Sequence, residues 1–334
     1  MTNHVVSFSG GRTSAYMVYL IEEMRKSGEF TGNVEYIFMD TGAEHPKTYE
    51  FIKRCVEHFD IKLTCLQGDF EQAIGVGHSY KIVGLDDLKH DMINGPFGRL
   101  MAKYGVPTVA SAWCTSRMKE ETHDKYCNDK YGKGNYKTWL GIRFDEPARL
   151  VGLSTYRQLK SAGLSDIFIS KCFADAVQSD GLLCESELVK EAALGKLGDG
   201  LNYLASLTDD EKIDIIDFWS RMPFDLEIDE HLGNCVFCFK KSINKVALAA
   251  RDEPDLAAHF IDAIGVASDR VTEKTGIPKG VMFRSNNSLQ SIIAKFELHS
   301  RDDIADTIRS MKRNESGGCT ESCEAFGCQM DMFD

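Results

Sequence analysis

The sequence has no apolar run as long as a membrane-spanning helix, and its start lacks the basic segment and apolar stretch of a secretory signal. We therefore expect a cytoplasmic protein with no membrane partner. Positive charge is also scarce, because 39 Lys and Arg stand against 51 Asp and Glu, a net charge of −12. Affinity for a phosphate backbone comes largely from Lys and Arg. We expect a small nucleotide as ligand, and nucleic acid as a partner only with help from another protein.

The cysteines lack the pattern of a disulfide framework. Their number, eleven, is odd, and several of them have flanking sequences unlike those of disulfide-bonded domains. Metal binding or thiol chemistry is favoured instead. The 334 residues, 43% of them hydrophobic, suffice for one large α/β domain and a smaller helical part.

The clearest motif lies between an apolar run, His4–Phe8, which predicts a strand, and a periodic stretch, Ala15–Met24, which predicts a helix. It has neither the Gly-Lys-Ser/Thr of a Walker loop nor the third glycine of a dinucleotide fingerprint. It still suits phosphate, because glycines let backbone N–H groups approach an anion and a helix N-terminus carries about half a positive charge. The residues of this loop are Ser9, Gly10, Gly11, Arg12, Thr13 and Ser14.

A second apolar run ends in Asp40, Thr41 and Gly42, about one βαβ unit after the first. Asp-Thr-Gly by itself is a common turn signal. Ligands of open parallel sheets bind beyond the carboxyl ends of the strands, where these two loops would meet. The pair therefore predicts one nucleotide site.

Strands and helices alternate over the first half of the chain, which predicts a doubly wound parallel sheet with right-handed crossovers. Between the third and fourth strands, residues 75–106 are rich in glycine and mixed in charge, and we expect an irregular excursion there. The predicted strands are His4–Phe8, Glu35–Met39, Lys62–Leu66 and Thr138–Gly141.

Four regions follow from these patterns. Residues 1–150 form a nucleotide-binding α/β domain, and residues 151–215 form a partly helical insertion whose best helix is Leu183–Leu194. Residues 216–313 are mainly helical and contain the pair Cys235-x-x-Cys238, and residues 314–334 form a flexible, cysteine-containing tail.

A possible metal site involves Cys114, Cys235 and Cys238. Two thiols separated by two residues can bind one metal from a tight turn, and zinc, iron–sulfur and redox disulfide sites all use this spacing. Cys114 is followed by Arg117 and Lys119, whose charges favour a thiolate and also suit phosphate or sulfate.

The elements described so far recur together in one family. They are Ser-Gly-Gly-x-Thr-Ser, Asp-Thr-Gly, Trp-Cys-Thr, the Gly-Ile-Arg-x-Asp-Glu-x-x-Arg of residues 141–149 and the Gly-Asn-Cys-x-x-Cys-Phe-Lys-Lys-Ser of residues 233–242. In this order they resemble the 3′-phosphoadenylylsulfate (PAPS) reductase-like family of the PP-loop ATP pyrophosphatase (adenine nucleotide alpha hydrolase) superfamily. The likeness covers most of residues 4–245.

The resemblance implies a [4Fe–4S] cluster held by Cys114, Cys235 and Cys238, with a structural Zn²⁺ site as the alternative. Related reductases have a Cys-Cys pair where this chain has Trp113-Cys114. The fourth ligand is therefore undecided. It is Cys172, a tail cysteine, or no protein residue at all, in which case one iron would accept sulfide or substrate. The nucleotide-binding residues it implies, besides the first loop, are Asp40, Thr41, Gly42, Gly141, Arg143 and Arg149.

PAPS reductases carry a nucleophilic cysteine on a C-terminal tail, in a Glu-Cys-Gly context. Here Cys323 stands between Ser322 and Glu324, so the motif does not match. Cys323 is still our candidate nucleophile, with metal binding or no role as the alternatives. Lys119 and Arg143 are the candidates for neutralising charge on the leaving nucleotide; for Arg143 the alternative is a salt bridge with Asp145 or Glu146.

Three functions are compatible with these residues. The first is reduction of PAPS or adenylylsulfate through a cysteine thiosulfonate, with a thiol reductant as partner. The second is an ATP- and Mg²⁺-dependent sulfurtransferase that adenylates its acceptor, releases pyrophosphate and thiolates a nucleic acid or small molecule, with a sulfur-donor protein as partner. The third is a catalytically silent nucleotide-binding regulator. We expect a homo-oligomer in each case.

Overall fold

A sheet lies at the centre of the computed structural model, which describes residues 1–73, 75–107, 114–267 and 287–312. Within these ranges the sheet has six strands in the order β4-β3-β2-β1-β5-β6. The strands are β1 (Asn3–Ser7), β2 (Asn33–Asp40), β3 (Leu63–Asp69), β4 (Ser79–Val83), β5 (Lys137–Leu140) and β6 (Leu201–Tyr203).

Helices cover both faces of this sheet and form the C-terminal part. Among the described residues, no helix is long and apolar enough to cross a membrane. The α-helices are α1 (Arg12–Ser27), α2 (Pro46–Phe59), α3 (Pro96–Tyr104), α4 (Glu121–Tyr131), α5 (Pro147–Val151), α6 (Leu153–Ser161), α7 (Asp166–Ser179), α8 (Glu187–Gly198), α9 (Lys212–Arg221), α10 (Ile243–Asp252), α11 (Pro254–Ala267), α12 (Leu289–Lys295) and α13 (Arg301–Lys312).

The central strand of the sheet is β1, which pairs in parallel with β2 on one side and with β5 on the other. The chain leaves β1 towards β2 and later returns to the opposite side, so the order of the strands reverses next to β1. Such a switch point is where open α/β sheets bind ligands. The predicted doubly wound parallel sheet is confirmed except at its edge strand β4, which is antiparallel, and the predicted loop lies at the switch point.

Alternate residues of the strands pack against different helices. Val6 and Phe38 lie in the core beneath α1, α2 and α9, whereas Val5 and Ile37 pack against α4. Both faces are covered, and the run from Tyr36 to Met39 in β2 is continuously apolar, as expected for a buried parallel strand. This double burial positions the carboxyl ends of the strands.

The expected irregular excursion at residues 75–106 was wrong in part. It contains β4, an edge strand antiparallel to β3, and the helix α3, which begins with Pro96 after the N-cap residue Gly95. The signal for a strand at β4 is weak because β4 is half-exposed and has no long apolar run. Proline at the first helical position is a normal start for α3, since its missing N–H is not needed there.

The expected insertion is more regular than its composition indicated, because residues 151–215 contain α6, α7, α8 and the start of α9, and β6 extends the sheet beside β5. The helix predicted at Leu183–Leu194 begins later, at Glu187, after Ser186 as N-cap, and Leu182 and Leu183 are exposed. The division into four regions stays a prediction, and the tail at 314–334 is outside the described residues.

Candidate functional site

The phosphate loop follows β1 and has an internal hydrogen-bond network. Gly10 adopts a φ of +79°, a conformation that favours glycine, and a Cβ there would come within 2.8 Å of Thr48. The Ser14 hydroxyl accepts a hydrogen bond from Ser9 N at 3.1 Å and donates one to the carbonyl of Gly11 at 3.0 Å. The first turn of α1 contains no acidic residue. The loop is therefore preformed, with the positive end of the α1 dipole unopposed within that turn.

A cavity of about 110 Å³ lies over this loop. Thr48 lines it and is buried, and its hydroxyl has no hydrogen-bond partner among the described residues. An unpaired buried hydroxyl is costly, so a ligand that hydrogen-bonds to Thr48 would remove a penalty. The other lining residues are Glu44, Lys212, Ile215, Ile216, Leu226, Ile228, Asp229, Glu230, Gly233 and Asn234.

Two contacts hold the start of α1. The guanidinium of Arg12 binds Asp225 through bonds of 2.7 and 2.9 Å, and the indole N–H of Trp219 donates to the carbonyl of Arg12 at 3.0 Å. The backbone of Arg12 lines the cavity while its side chain is directed to Asp225. The structure thus gives the Arg12 side chain a role in positioning the loop.

Arg143 reaches the loop from the segment after β5. Its guanidinium donates to the Thr13 hydroxyl at 3.3 Å and to Asp145 at 2.7 Å, so it contacts both the loop and the alternative salt-bridge partner. Arg149 donates to Glu146 at 2.6 Å. Gly141 is buried and directly follows β5. Burial alone would raise the pKa of Glu146, but the charges of Arg149 and Arg143 outweigh it and lower the pKa.

The loop after β2 is organised around two buried carboxylates. Asp40 accepts hydrogen bonds from Gly42 N at 2.9 Å and from Tyr49 at 2.8 Å, and Glu44 accepts from the Thr41 hydroxyl at 2.7 Å. Burial and the nearby charge of Glu44 raise the pKa of Asp40 to about 6. These bonds fix the Asp-Thr-Gly turn at the carboxyl edge of the sheet.

This turn is joined to the segment that carries the cysteine pair. Glu44 and Cys235 form an antiparallel backbone bridge, and Val236 N donates to the carbonyl of Ala43 at 3.2 Å. The Thr41 hydroxyl lies 3.7 Å from the Cys235 sulfur. The nucleotide side and the thiol side of the site are therefore in direct contact.

The three predicted cysteines lie close to one another. Burial and the nearby Cys238 raise the pKa of Cys114 to about 12, and burial, Glu44, Cys238 and Cys114 raise the pKa of Cys235. Lys119 acts in the opposite direction on both thiols. The thiols are thus protonated when no metal is bound, and binding a metal would release protons.

The spacing of the thiols bears on which metal group they fit. Ligand atoms that all lie within 4.8 Å of one another occur among the described residues at Asp229, His231 and Asp252, and not at the three cysteines. Around a single tetrahedral zinc with bonds of about 2.3 Å, sulfur atoms would lie within about 4 Å of each other. At least one pair among the Cys114, Cys235 and Cys238 sulfurs is therefore more than 4.8 Å apart, too far for both to bind one zinc as they are placed.

Other predicted ligands lie elsewhere. Cys172 is buried in the core around α7, where it contacts Cys184 rather than the three grouped cysteines. Cys323 lies outside the described residues. Three residues of the site, Thr48, Glu44 and Asp225, were not predicted from the sequence. Glu44 follows the Asp-Thr-Gly turn by two residues and could have been found there, whereas Asp225 is 213 residues from Arg12 and carries no local signal.

A mostly parallel sheet whose central strand ends in a Ser-Gly-Gly-x-Thr-Ser loop defines a nucleotide-binding protein of the PP-loop class. A family model described as the phosphoadenosine phosphosulfate reductase domain matches residues 3–79. The chain belongs to the PAPS reductase-like family of this superfamily, as its motifs indicated.

One relative is an uncharacterized nin region protein, ORF290, of Escherichia phage lambda, which is 39% identical over 98% of this chain and 97% of its own length. Two uncharacterized proteins of Methanocaldococcus jannaschii are 24% and 27% identical over 42% and 36% of this chain, and the matches span 22% and 21% of their own lengths. No solved structure matches the chain significantly.

Proposed function

We propose that the protein is a PAPS reductase-like enzyme that binds an adenine nucleotide and carries out sulfur chemistry beside an iron–sulfur cluster. The observation that carries this proposal is the contact between Thr41, in the loop after β2, and Cys235, in the cysteine pair. A nucleotide held at the phosphate loop would lie next to the thiols without any rearrangement of the sheet.

The phosphate loop supplies the nucleotide's binding site. Backbone N–H groups at Gly10, Gly11 and Arg12 and the start of α1 would hold phosphate oxygens of ATP or PAPS. The unpartnered hydroxyl of Thr48 would donate to the same ligand. Arg143 would balance charge through its position on Thr13, and Mg²⁺ would be required if the nucleotide is ATP.

Cys114, Cys235 and Cys238 would hold a [4Fe–4S] cluster. When bound, such a cluster supplies electrons or an open iron that accepts sulfur. The chain's own part is to provide thiolates and to compensate their charge, and both Lys119 and Lys240 act electrostatically on Cys114. The two lysines offset part of the rise in the pKa of Cys114 that burial causes, and their charges also suit a bound anion.

For reduction, the thiolate of Cys323 would attack the sulfur of PAPS. A sulfur–sulfur bond forms, the bond from sulfur to the nucleotide oxygen breaks, and adenosine 3′,5′-bisphosphate leaves. A second thiol then attacks the Cys323 sulfur, releases sulfite and leaves a disulfide, which an external thiol reductant restores. Arg143 and Lys119 would neutralise charge on the departing nucleotide.

A second candidate is the ATP-dependent sulfurtransferase. It is supported by the location of Cys172, which packs in another core and leaves three grouped cysteines among the described residues. Three protein ligands would leave one coordination position of a bound cluster available for sulfide; transfer of that sulfur would form a bond to the adenylated acceptor and release AMP. A nucleic-acid acceptor would require a partner protein, given the net charge of −12.

Metal analysis tests both candidates. The protein is purified without oxygen, and iron, sulfide and zinc are measured together with the absorption spectrum. We expect about four irons and about four sulfides per chain. Cys238→Ser should lose most of the iron, whereas the control Cys184→Ser, in a different core, should keep it. One zinc and no iron would refute the cluster.

The same sample separates the two reactions in paired assays of PAPS reduction and of ATP–pyrophosphate exchange. Gly11→Val should abolish nucleotide binding in either case. The nearest atom to a Cβ at this position is 3.7 Å away, so the added side chain fits the fold but obstructs the loop. Unchanged affinity for ATP and PAPS would refute the loop assignment, and tight binding with no turnover would indicate a silent regulator.

A further inference from the structure

A second group of basic residues surrounds the loop between β3 and β4. The ammonium groups of Lys103 and Lys125 donate hydrogen bonds to the carbonyls of Gly77 and His78. Arg117 contributes a third cation, since its charge acts on both Lys103 and His78. These cations come from three separate elements, α3, α4 and the turn before α4. The fold therefore places them around one loop.

The positive charge of this group is only partly balanced by nearby carboxylates, of which Glu121 lies against both Arg117 and His78. Within the described ranges, neither Lys103 nor Lys125 is ion-paired, and Lys103 is only 6% exposed. Arg117 is paired with Glu121 at 3.1 Å, and Asp69, which faces Lys103, is paired with Lys81 at 3.3 Å. Two cations thus remain uncompensated, although the molecule as a whole carries a charge of −12.

His78 lies at the centre of the group. Its side chain is fully buried, and neither ring nitrogen has a hydrogen-bond partner within the described residues. The carboxylate of Glu121 lies 3.4 Å from Nδ1 without hydrogen-bond geometry, and the carbonyl of Arg117 is nearby. A buried imidazole with an unused N–H needs an acceptor, and three surrounding cations favour one that is negatively charged.

The loop itself suits an anion. Gly75 and Gly77 have φ values of +93° and +85°. A Cβ added at Gly75 would meet no atom within 4 Å, and one added at Gly77 would lie 3.9 Å from Lys125 Nζ. Backbone N–H groups next to glycines in this conformation can form an anion-binding concavity; that of Val76 is bonded to the carbonyl of Ala73 at 3.1 Å, so the N–H groups of Gly75 and Gly77 would be the ones to contribute. Access is open on one side, because the side chains of Arg117 and Glu121 are 39% and 38% exposed.

The group also adjoins the cysteines. Arg117 and Lys119 lie on one π-helical turn, residues Ser116–Glu120, directly after Cys114. Arg117 acts on His78, whereas Lys119 acts on Cys114 and Cys235. One turn therefore supplies a cation to each site, and π-helical turns are frequent at functional sites.

We propose that Lys103, Arg117, Lys125 and His78 form a second oxyanion site, which binds a phosphate or sulfate group of the substrate or acceptor beside the cysteines. The anion would accept hydrogen bonds from the lysines, the guanidinium and the imidazole. It would be held independently of the nucleotide loop. Only its assignment to the substrate rests on the proposed function; the binding of the anion does not.

Calorimetric titration with inorganic phosphate and with sulfate tests the site. The protein carries Gly11→Val, which removes phosphate binding at the nucleotide loop. We expect one remaining site, weakened about tenfold by Lys125→Gln and by Arg117→Gln. Lys133→Gln, which removes an exposed charge from the turn after α4, is the matched control and should bind as before. Amide NMR shifts at Gly75 and Gly77 locate the bound anion.

The outcomes separate this proposal from the nucleotide assignment. If Gly11→Val leaves ATP affinity unchanged but Lys125→Gln weakens phosphate binding, the nucleotide loop is wrong and the second site stands. A short single-stranded oligonucleotide that binds more tightly than phosphate, and loses affinity in the same variants, identifies a nucleic-acid phosphate as the source. Binding of the small anions alone identifies a nucleotide phosphate or sulfate. Equal phosphate affinity in all the charge variants, with no shift at Gly75 or Gly77, overturns the proposal.

Discussion

Replacing Gly10 by alanine should damage the protein far more than the same change at Gly11. Gly10 has a φ of +79°, and a non-glycine residue in that conformation costs about 1–2 kcal/mol. The new Cβ would stand 2.8 Å from Thr48 Cγ2 and 2.9 Å from Ile52 Cδ1, inside the well-packed start of α2. Overpacking of this kind costs about 1–3 kcal/mol. We expect a total loss of about 2–5 kcal/mol in the free energy of unfolding.

Gly11 provides the control for this experiment. Its φ of −94° and ψ of 161° are accessible to any residue, and the nearest atom to an added Cβ is Ser9 Oγ at 3.7 Å. Gly11→Ala should therefore change the free energy of unfolding by less than about 0.5 kcal/mol.

Urea unfolding followed by circular dichroism measures both variants, and ATP affinity is measured on the same samples. Because Gly10→Ala must displace Thr48 or bend the loop, we expect its ATP affinity to fall as well. Equal stability of the two variants would refute the reasoning, since it would show that the loop does not hold Gly10 in the conformation described.

Further predictions concern titration and thiol reactivity. Asp40 has a pKa of about 6 in the folded state against 3.8 in the unfolded state, so its contribution to stability is present below pH 4 and is lost as the pH rises through 6. In urea unfolding, Asp40→Asn should remove up to about 3 kcal/mol of this pH dependence. The pKa of His78 is lowered to about 4 by burial and by Lys125, Arg117 and Lys103, so its ring proton signals should titrate near pH 4, and a midpoint near 6.5 would contradict the cation group. Cys55 and Cys65 are buried with raised pKa values and should resist alkylation in the native protein, as measured by mass spectrometry; rapid labelling would show that these cores open.

Much of the sheet could be predicted because its central strands are buried on both faces. The expected strand His4–Phe8 differs by one residue at each end from β1, and the helix expected at Ala15–Met24 lies inside α1. In both cases the apolar residues of the sequence pattern are the ones that face the core, so the pattern predicts the element. The edge strands β4 and β6 lack such a pattern, because β4 is half-exposed and β6 has three residues.

The candidate site could be predicted where its residues are close in sequence. The phosphate loop and the cysteine pair are contiguous motifs. The pairing of Arg12 with Asp225 and the contact of Thr41 with Cys235 join residues about 200 positions apart, and no local pattern encodes them. For Arg143, the sequence left a choice between phosphate contact and a salt bridge, and the fold provides contacts of both kinds.

The backbone bridge between Glu44 and Cys235 makes the two halves of the site thermodynamically linked. The Asp-Thr-Gly turn cannot move without moving the cysteine segment, because Val236 N is also bonded to the carbonyl of Ala43 at 3.2 Å. Coupling between two ligands is reciprocal. By whatever factor a metal group on the cysteines tightens nucleotide binding, a bound nucleotide must tighten the binding of that group by the same factor. Nucleotide would then act as a protectant of the metal site, and a chelator would act as a competitor of nucleotide without ever touching its pocket.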